Sequence, residues 1–565
     1  MSLDLHVADL TALRRAVERL DRAETASTFT IEVHACTTTP TLTPHPSWPR
    51  LSRLAVTTKG DGALLEAEFA DEAPVRAVVA AVARSVAPGA LDWPGWPDTA
   101  VGVTQVDGSA DFPPDLVIAE QAPSVRDLPD PHPVLARAPV VVTTGPEPTW
   151  AEAAEVTGGP LALGPLDHRT LNPVGFKRQH RQPVAHLLAH EDADRLTLRT
   201  AKGELAIDAR HGPSDADIDR LRRVAAVHVG WEGAYGPHAY ARVVAGLAMA
   251  GVPLLADDVP GWARQLLAPD LVDGLTQQPE DLDDIVQREA HSIRLRRAAL
   301  RAHGAAGWRR TAGAAHGLQT TPPPRVSVLL PTRRPEQVPF ALRQVARQRG
   351  VDLELVLVTH GFAADETALA AFRAAGAPLT ALEAPADEPF GAILNRAVRA
   401  AGGDVLLKVD DDDWYGRDFV ADLLLAREYS GADVVGTPPE FTFVEPLWLT
   451  VRRQDATEAY RPVVAGGTML MDRGTVAAIG GFRETRKFVD AGLLRAVTDA
   501  GGSIYRTHGH GYVLRRGAQG HTWDPGLGYF VGRKLSWHQW RGFTPSPLLD
   551  PDDEDLPRRR PEEPT

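Results

Sequence analysis

The stretch Val405-Leu406-Leu407-Lys408-Val409-Asp410-Asp411-Asp412-Asp413-Trp414-Tyr415-Gly416 runs from an apolar strand into four consecutive aspartates and an aromatic turn. Adjacent carboxylates repel one another, so an uncompensated cluster at a strand end is costly. A hard divalent cation such as Mg²⁺ or Mn²⁺ removes that cost, because it takes one or two protein carboxylates and completes its shell with water and phosphate oxygens. A solvated acidic turn is the plainer alternative. The buried-looking strand in front of the aspartates favours a cation–diphosphate site, since ligands in open α/β sheets bind at the carboxyl ends of strands. Lys408 stands one strand period before Asp410, so both point to one face. There the lysine either neutralises carboxylates or touches phosphate.

The surrounding sequence is α/β. Val326–Leu330 and Leu353–Val358 read as buried strands, and 337–348 and 391–401 as helices, with Gly402-Gly403 placed as a C-cap. Strands alternating with helices predict a mainly parallel sheet. Upstream, Val224–Val229, a helix over 237–250 and Val252–Ala256 form a β-α-β unit, and Lys202-Gly203 joins two strands of a hairpin.

A length of 565 residues predicts three or four domains at about 150 residues each. The expected division is an N-terminal α/β domain over 1–137, a Rossmann-like domain over 138–319, and a third domain over 320–549 that opens on the stiff linker Thr320-Thr321-Pro322-Pro323-Pro324. Residues 550–565 carry seven acids, three arginines and four prolines and are expected to be a disordered tail. Composition is 43% hydrophobic and 24% charged, as in a globular protein, and the net charge of −14 argues against a nucleic-acid partner. The one cysteine, Cys36, excludes an internal disulfide and fits a reducing compartment. With neither a signal pattern nor a long apolar run, the expectation is a cytoplasmic protein, with association at the inner face of a membrane left open.

Five blocks in order resemble the GT-A-fold inverting glycosyltransferases of family two. They are VSVLLPTRRPE (Val326–Glu336), FGAILNRAVRAAGGDVLLKVDDDDWYGRDFV (Phe390–Val420), VAGGTMLMDRGTVAAIGGF (Val464–Phe482), FVDAGLLRAVTDAGGSIYR (Phe488–Arg506) and RRGAQGHTW (Arg515–Trp523). The resemblance implies a nucleotide-sugar domain using Mn²⁺ or Mg²⁺. Its substrates would be a nucleoside-diphosphate sugar donor and a glycan or lipid-linked glycan acceptor, in bacterial cell-surface polysaccharide synthesis.

It also implies roles for individual residues. Asp490 is the general base. Asp412 binds the metal, and Asp410 binds the metal or the donor ribose. His521 caps the metal. Pro331, Thr332, Arg334, Asn395, Lys408, Asp410 and Asp411 contact the donor. Arg515 and Arg516 are candidates to clamp diphosphate, and Trp414, Trp448, Trp523, Trp537 and Trp540 to line a sugar cleft; core packing is the alternative for each ring. His508 and His510 are weaker metal candidates. For Asp490 the alternative is a helix cap.

Two positions depart from the family pattern. The second strand ends in Thr359-His360-Gly361 where an Asp that reads the base is common, and Val489-Asp490 stands where Glu-Asp is common. These departures sustain a rival: a glycan- or nucleotide-sugar-binding protein of the same fold without turnover. Nucleotidyl transfer needs a glycine-rich loop after the first strand, and Pro331-Thr332-Arg333-Arg334-Pro335 has no glycine. In the second region, Tyr235–Leu255 resembles the donor-side helix of GT-B-fold glycosyltransferases, with His238-Ala239-Tyr240 where an acidic residue is usual. That leaves a further alternative, in which the second region is the working transferase.

Overall fold

Strands covered on both faces read as continuous apolar runs, and Val326–Thr332 is buried at all seven positions. It pairs in parallel with Leu353–His360 on one side and Val405–Lys408 on the other. The computed structural model describes residues 1–86 and 183–311 with short gaps, three strands and a few positions between them, and 323–558 apart from 454–455, 518–525 and 533–535. The chain divides into two compact units, Met1–Thr321 and Pro322–Thr565. Both are α/β.

In the first unit, Ser2–Asp9, Thr25–Ala35, Gly62–Pro74 and Leu51–Lys59 form a four-stranded sheet in that order. The helix Val75–Val86 packs on it through Val75, Val78, Val79 and Val82. A three-stranded parallel sheet joins Val101–Val103, Leu116–Ala119 and Val140–Thr143. It therefore crosses the boundary expected at residue 137. A five-stranded sheet follows. Its hairpin, Arg195–Thr200 with Gly203–Asp208, turns at Ala201-Lys202, with Gly203 at φ +125°. The β-α-β unit is present as Val227–Val229, the helix Pro237–Met249 and Leu254–Leu255, with the two strands parallel. Among the described residues no helix is long and apolar enough to cross a membrane.

The second unit is built on an eight-stranded sheet. Leu379–Ala384, Leu353–His360, Val326–Thr332 and Val405–Lys408 run parallel. Met469–Asp472 then pairs antiparallel with Val405–Lys408, followed by Val434–Gly436, Ile504–Arg506 and Ala459–Tyr460. Helices Phe390–Ala400 and Val489–Asp499 cover one face through Ile393, Leu394, Leu493 and Val497. A second sheet, led by Trp414–Tyr415 and Tyr512–Arg516, begins directly after the aspartates.

Two expectations about this unit are corrected. Gly402 and Gly403 lack the left-handed conformation of a C-cap. The helix ends at Ala401 in extended backbone, and glycine is needed for close approach. A Cβ on Gly403 would lie 2.5 Å from Arg325 O and 2.8 Å from Ser327 Oγ. Of the expected disordered tail, residues 550–558 are described and pack against the second unit, and the rest lies outside the described residues. Asp555 is buried; it accepts from Arg343 Nε at 2.8 Å and Gln344 Nε2 at 2.7 Å, and its carbonyl accepts from Trp414 Nε1 at 2.9 Å. Four of the acids that suggested disorder, Asp550, Asp552, Glu554 and Asp555, are partners of arginines distant in sequence.

Candidate functional site

The four aspartates follow the strand Val405–Lys408 in a bend that divides them between two environments. Lys408 Nζ donates to Asp410 Oδ1 at 2.7 Å. The Asp410 amide donates to the Tyr415 hydroxyl at 2.9 Å, which in turn donates to Gly467 O at 2.9 Å. Asp411 accepts from the Thr332 hydroxyl and from Arg334, whose Nε lies 3.2 Å from its Oδ2. Arg334 Nη1 also donates to Asp412 Oδ2 at 2.8 Å. Asp413 faces the core, where it accepts from the Tyr512 hydroxyl at 2.6 Å and the Arg515 amide at 2.8 Å. It anchors the second sheet and is no part of the open face. Thus Thr332, the last residue of the first strand, and Arg334 just after it meet Asp411 and Asp412.

Asp490 reaches the same cluster from another helix. Phe488, at φ 60° and 76% exposed, caps Val489–Asp499 in a conformation that is strained for a bulky residue. Asp490 follows in the first turn. Its Oδ2 lies 3.3 Å from Lys408 Nζ. Its Oδ1 is buried and has no hydrogen-bond partner among the described residues.

The approach is close enough to require glycine at two positions that sequence reasoning did not single out. A Cβ on Gly466 would lie 2.2 Å from Asp490 Oδ2, and one on Gly467 would lie 2.9 Å from Asp410 Oδ2. Gly-Gly inside the Val464–Phe482 block was the available signal, but its meaning depends on carboxylates remote in sequence.

The electrostatics show a deficit of positive charge. Four carboxylates, those of Asp410, Asp411, Asp412 and Asp490, share two cations, Lys408 and Arg334, and Asp413 stands behind them without one among the described residues. Burial pushes Asp412 above the ordinary carboxylate range, although Arg334 opposes it. Burial and the charges of Asp412 and Asp410 push Asp413 well up. Burial raises Asp490, with Lys408 opposing and Asp410 reinforcing the shift. For Lys408 and Arg334, burial acts downward, but the facing carboxylates outweigh it and raise both.

These residues fit a hard divalent cation. Asp410 Oδ2 and Asp412 Oδ1 have no hydrogen-bond partner among the described residues. Among those residues no three acids of this cluster converge within 4.8 Å. That suits an ion held by two carboxylates that draws its other ligands from water and phosphate.

Other expected contacts lie elsewhere. Asn395 holds the backbone of Phe482, donating to its O at 2.8 Å and accepting from its N at 2.8 Å. Arg515 forms a bidentate pair with Glu445 at 2.9 and 3.1 Å and stacks over Trp414. Arg516 lies over Phe530. His508 sits 3.4 Å from Asp422, and His510 bonds Ser546 at 2.8 Å, both buried. Trp414 is core, packed between Phe340, Phe443 and Phe543. Trp448 packs on Phe443, and Trp540 stacks on His538. His360, at the end of the second strand, accepts from Arg333 Nε at 2.9 Å. Burial and Arg333 lower its pKa, which keeps it neutral and able to accept. His521, Trp523 and the Trp537 side chain lie outside the described residues. His238 lies in the first turn of Pro237–Met249 in the first unit.

The sequence matches no family profile and no curated protein. Solved structures with similarity include a mannosyltransferase from Pyrobaculum calidifontis in complex with GDP-Man and Mn²⁺. It is 19% identical, covering 35% of this chain and 59% of that one, with a TM-score of 0.28. They also include S. aureus TarS residues 1–349, 16% identical, covering 34% of this chain and 60% of that one, with a TM-score of 0.27. The same TarS fragment in complex with UDP-GlcNAc gives 16% identity, 35% and 60% coverage, and a TM-score of 0.27. The chain spans less than two thirds of each of these structures.

Proposed function

We propose that the second unit is a metal-dependent, GT-A-like glycosyltransferase that moves a sugar from a nucleoside-diphosphate donor to a hydroxyl acceptor with inversion. The observation that carries the reading is Asp490. One of its carboxylate oxygens is buried without a partner, and the other lies 3.3 Å from Lys408, the ammonium that also holds Asp410 just after a parallel strand. A structural cap would have spent that oxygen on a backbone N–H.

In this reading Asp410 and Asp412 hold Mn²⁺ or Mg²⁺, with His521 as a further candidate ligand. When bound, the ion supplies positive charge to the departing diphosphate. Thr332 and Arg334 orient the donor beside Asp411. Asp490 Oδ1 accepts the proton of the acceptor hydroxyl. The hydroxyl oxygen attacks the anomeric carbon from the face opposite the diphosphate. The bond from that carbon to the diphosphate oxygen breaks, and its electron pair leaves with the diphosphate. Asp490 then releases its proton to solvent. The acceptor class we infer is a glycan or lipid-linked glycan of a bacterial cell-surface polymer, met in the cytoplasm or at the inner face of the membrane.

The test is a thermal-shift and NMR experiment with a panel of nucleotide sugars and Mn²⁺ or Mg²⁺. One donor should stabilise the protein only with metal, and sugar slowly released to water should first appear as the anomer opposite to that of the donor. Release with the donor's own configuration would exclude the single displacement at Asp490. A donor that binds and is never turned over with any acceptor would favour a binding protein of the same fold.

A further inference from the structure

Lys408 has a side chain 1% exposed, with its ammonium at the end of a core strand. It makes three polar contacts: Asp410 Oδ1 at 2.7 Å, Gly466 O at 3.1 Å and Asp490 Oδ2 at 3.3 Å. The face of Phe390 lies 5.9 Å away. An ammonium has three donors, so all three are engaged by the protein itself. No donor is left for a phosphate, and the expected contact with the nucleotide sugar is not where this residue acts.

Stability does not account for the arrangement. Burying a lysine against two carboxylates carries a desolvation cost that an apolar side chain of similar length would avoid. What the arrangement provides is geometry. Lys408 holds one oxygen of Asp490 and leaves Oδ1, buried and without a partner, as the oxygen with its lone pairs unspent. The same ammonium holds one oxygen of Asp410 and leaves Oδ2 for a cation. One residue therefore fixes the base and the cation ligand relative to each other.

We propose that Lys408 is the positioning residue of this site: it selects the reactive oxygen of Asp490 and occupies Asp410 from the side away from the cation. The inference rests on the proposed function for the roles of Asp490 and Asp410. It makes Lys408 a competitor of the bound ion for the charge of Asp410. Removing it should tighten cation binding while impairing turnover, a combination that mere loss of packing would not produce.

The experiment compares the full chain with Lys408→Met, which keeps the side chain's length and removes its charge. Mn²⁺ binding is read from the free-ion electron paramagnetic resonance signal, and kcat and KM from nucleoside diphosphate release. The expected result is Mn²⁺ affinity raised by roughly tenfold, as removal of a unit charge a few ångströms away implies. kcat should fall by about 10²-fold at little-changed donor KM, as expected for a base displaced by an ångström. The acid limb of kcat should move to higher pH, because Lys408 is what opposes the upward shift of Asp490. If Lys408→Met lacks a cooperative melt, Lys408→Arg is read instead. It keeps the charge and should show near-normal Mn²⁺ affinity with reduced kcat.

Unchanged kcat in the folded variant would overturn the inference, as would weakened Mn²⁺ binding in Lys408→Met. A wild-type chain that neither binds Mn²⁺ nor releases nucleotide would overturn the proposed function itself. A wild type that does both, with Lys408→Met indistinguishable from it, would overturn only the role of Lys408.

Discussion

Replacing Gly466 with alanine would put a methyl group where a carboxylate oxygen lies. The added Cβ would stand 2.2 Å from Asp490 Oδ2 and 3.0 Å from its Cγ, whereas ordinary van der Waals contact begins at 3.4 Å. The Gly466 backbone conformation is one alanine can adopt, since its φ lies outside the left-handed range. The neighbour must therefore give way. Asp490 is free to do so because its side chain is 33% exposed, so it turns toward solvent instead of unfolding the helix. The retreat needed is about 1 Å, and a misplacement of that size costs about 10²-fold in rate. It also draws Oδ2 away from Lys408, which stays bonded to Asp410 and Gly466 O. The prediction for Gly466→Ala is a kcat about two orders of magnitude below wild type, with Mn²⁺ affinity unchanged and a melting temperature within a few degrees. Nucleoside diphosphate release, Mn²⁺ titration and calorimetry on the same sample read these three quantities. Wild-type kcat in Gly466→Ala would refute the placement of Asp490 at the reacting centre.

Asp412→Ala should remove one cation ligand and relieve a buried carboxylate that is already pushed up. Mn²⁺ affinity should then fall by at least about a hundredfold while the protein keeps its cooperative melt, as titration and calorimetry would read. The pH dependence follows from Asp490. Its folded pKa is raised above the ordinary 3.8 by burial, with Lys408 opposing and Asp410 adding to the shift. It must be ionised to accept a proton, so kcat should fall on acidification through a value above 3.8. The same shift means that the folded state binds this proton more tightly than the unfolded chain does. Its stabilising contribution is complete below the unfolded value and is lost as pH rises through the folded one, and Asp490→Asn should abolish that part of the stability–pH curve. Asp555→Ala should destabilise the second unit by about 1–3 kcal/mol in urea, because it strips Gln344 and Arg343 of a buried acceptor.

What the sequence made legible follows the range of each interaction. The single strand period from Lys408 to Asp410 predicts that the two share a face, and their 2.7 Å contact agrees. The parallel strands Val326–Thr332, Leu353–His360 and Val405–Lys408 are legible because both faces are apolar. Partners distant in sequence were not legible. Gly402-Gly403 after a helix looks like a cap until Arg325 and Ser327 are seen against it. Arg515 looks like a phosphate clamp until Glu445 takes both of its arms. The acidic C-terminal segment looks disordered until Arg343, Arg347 and Arg417 are placed beside it. Asn395 looks like a donor contact until its amide meets the backbone of Phe482. The glycines at 466 and 467 acquire a role only when Asp490 and Asp410 converge on them.

The most direct test of the central claim is release of nucleoside diphosphate from a panel of nucleotide sugars by wild type and Asp490→Asn, each with and without Mn²⁺. The account predicts metal-dependent release from one donor by wild type. Asp490→Asn should lose that release while binding the same donor and Mn²⁺. Equal turnover by the two proteins would contradict the role of Asp490, and no metal-dependent release from any donor by wild type would contradict the assignment of Asp410 and Asp412.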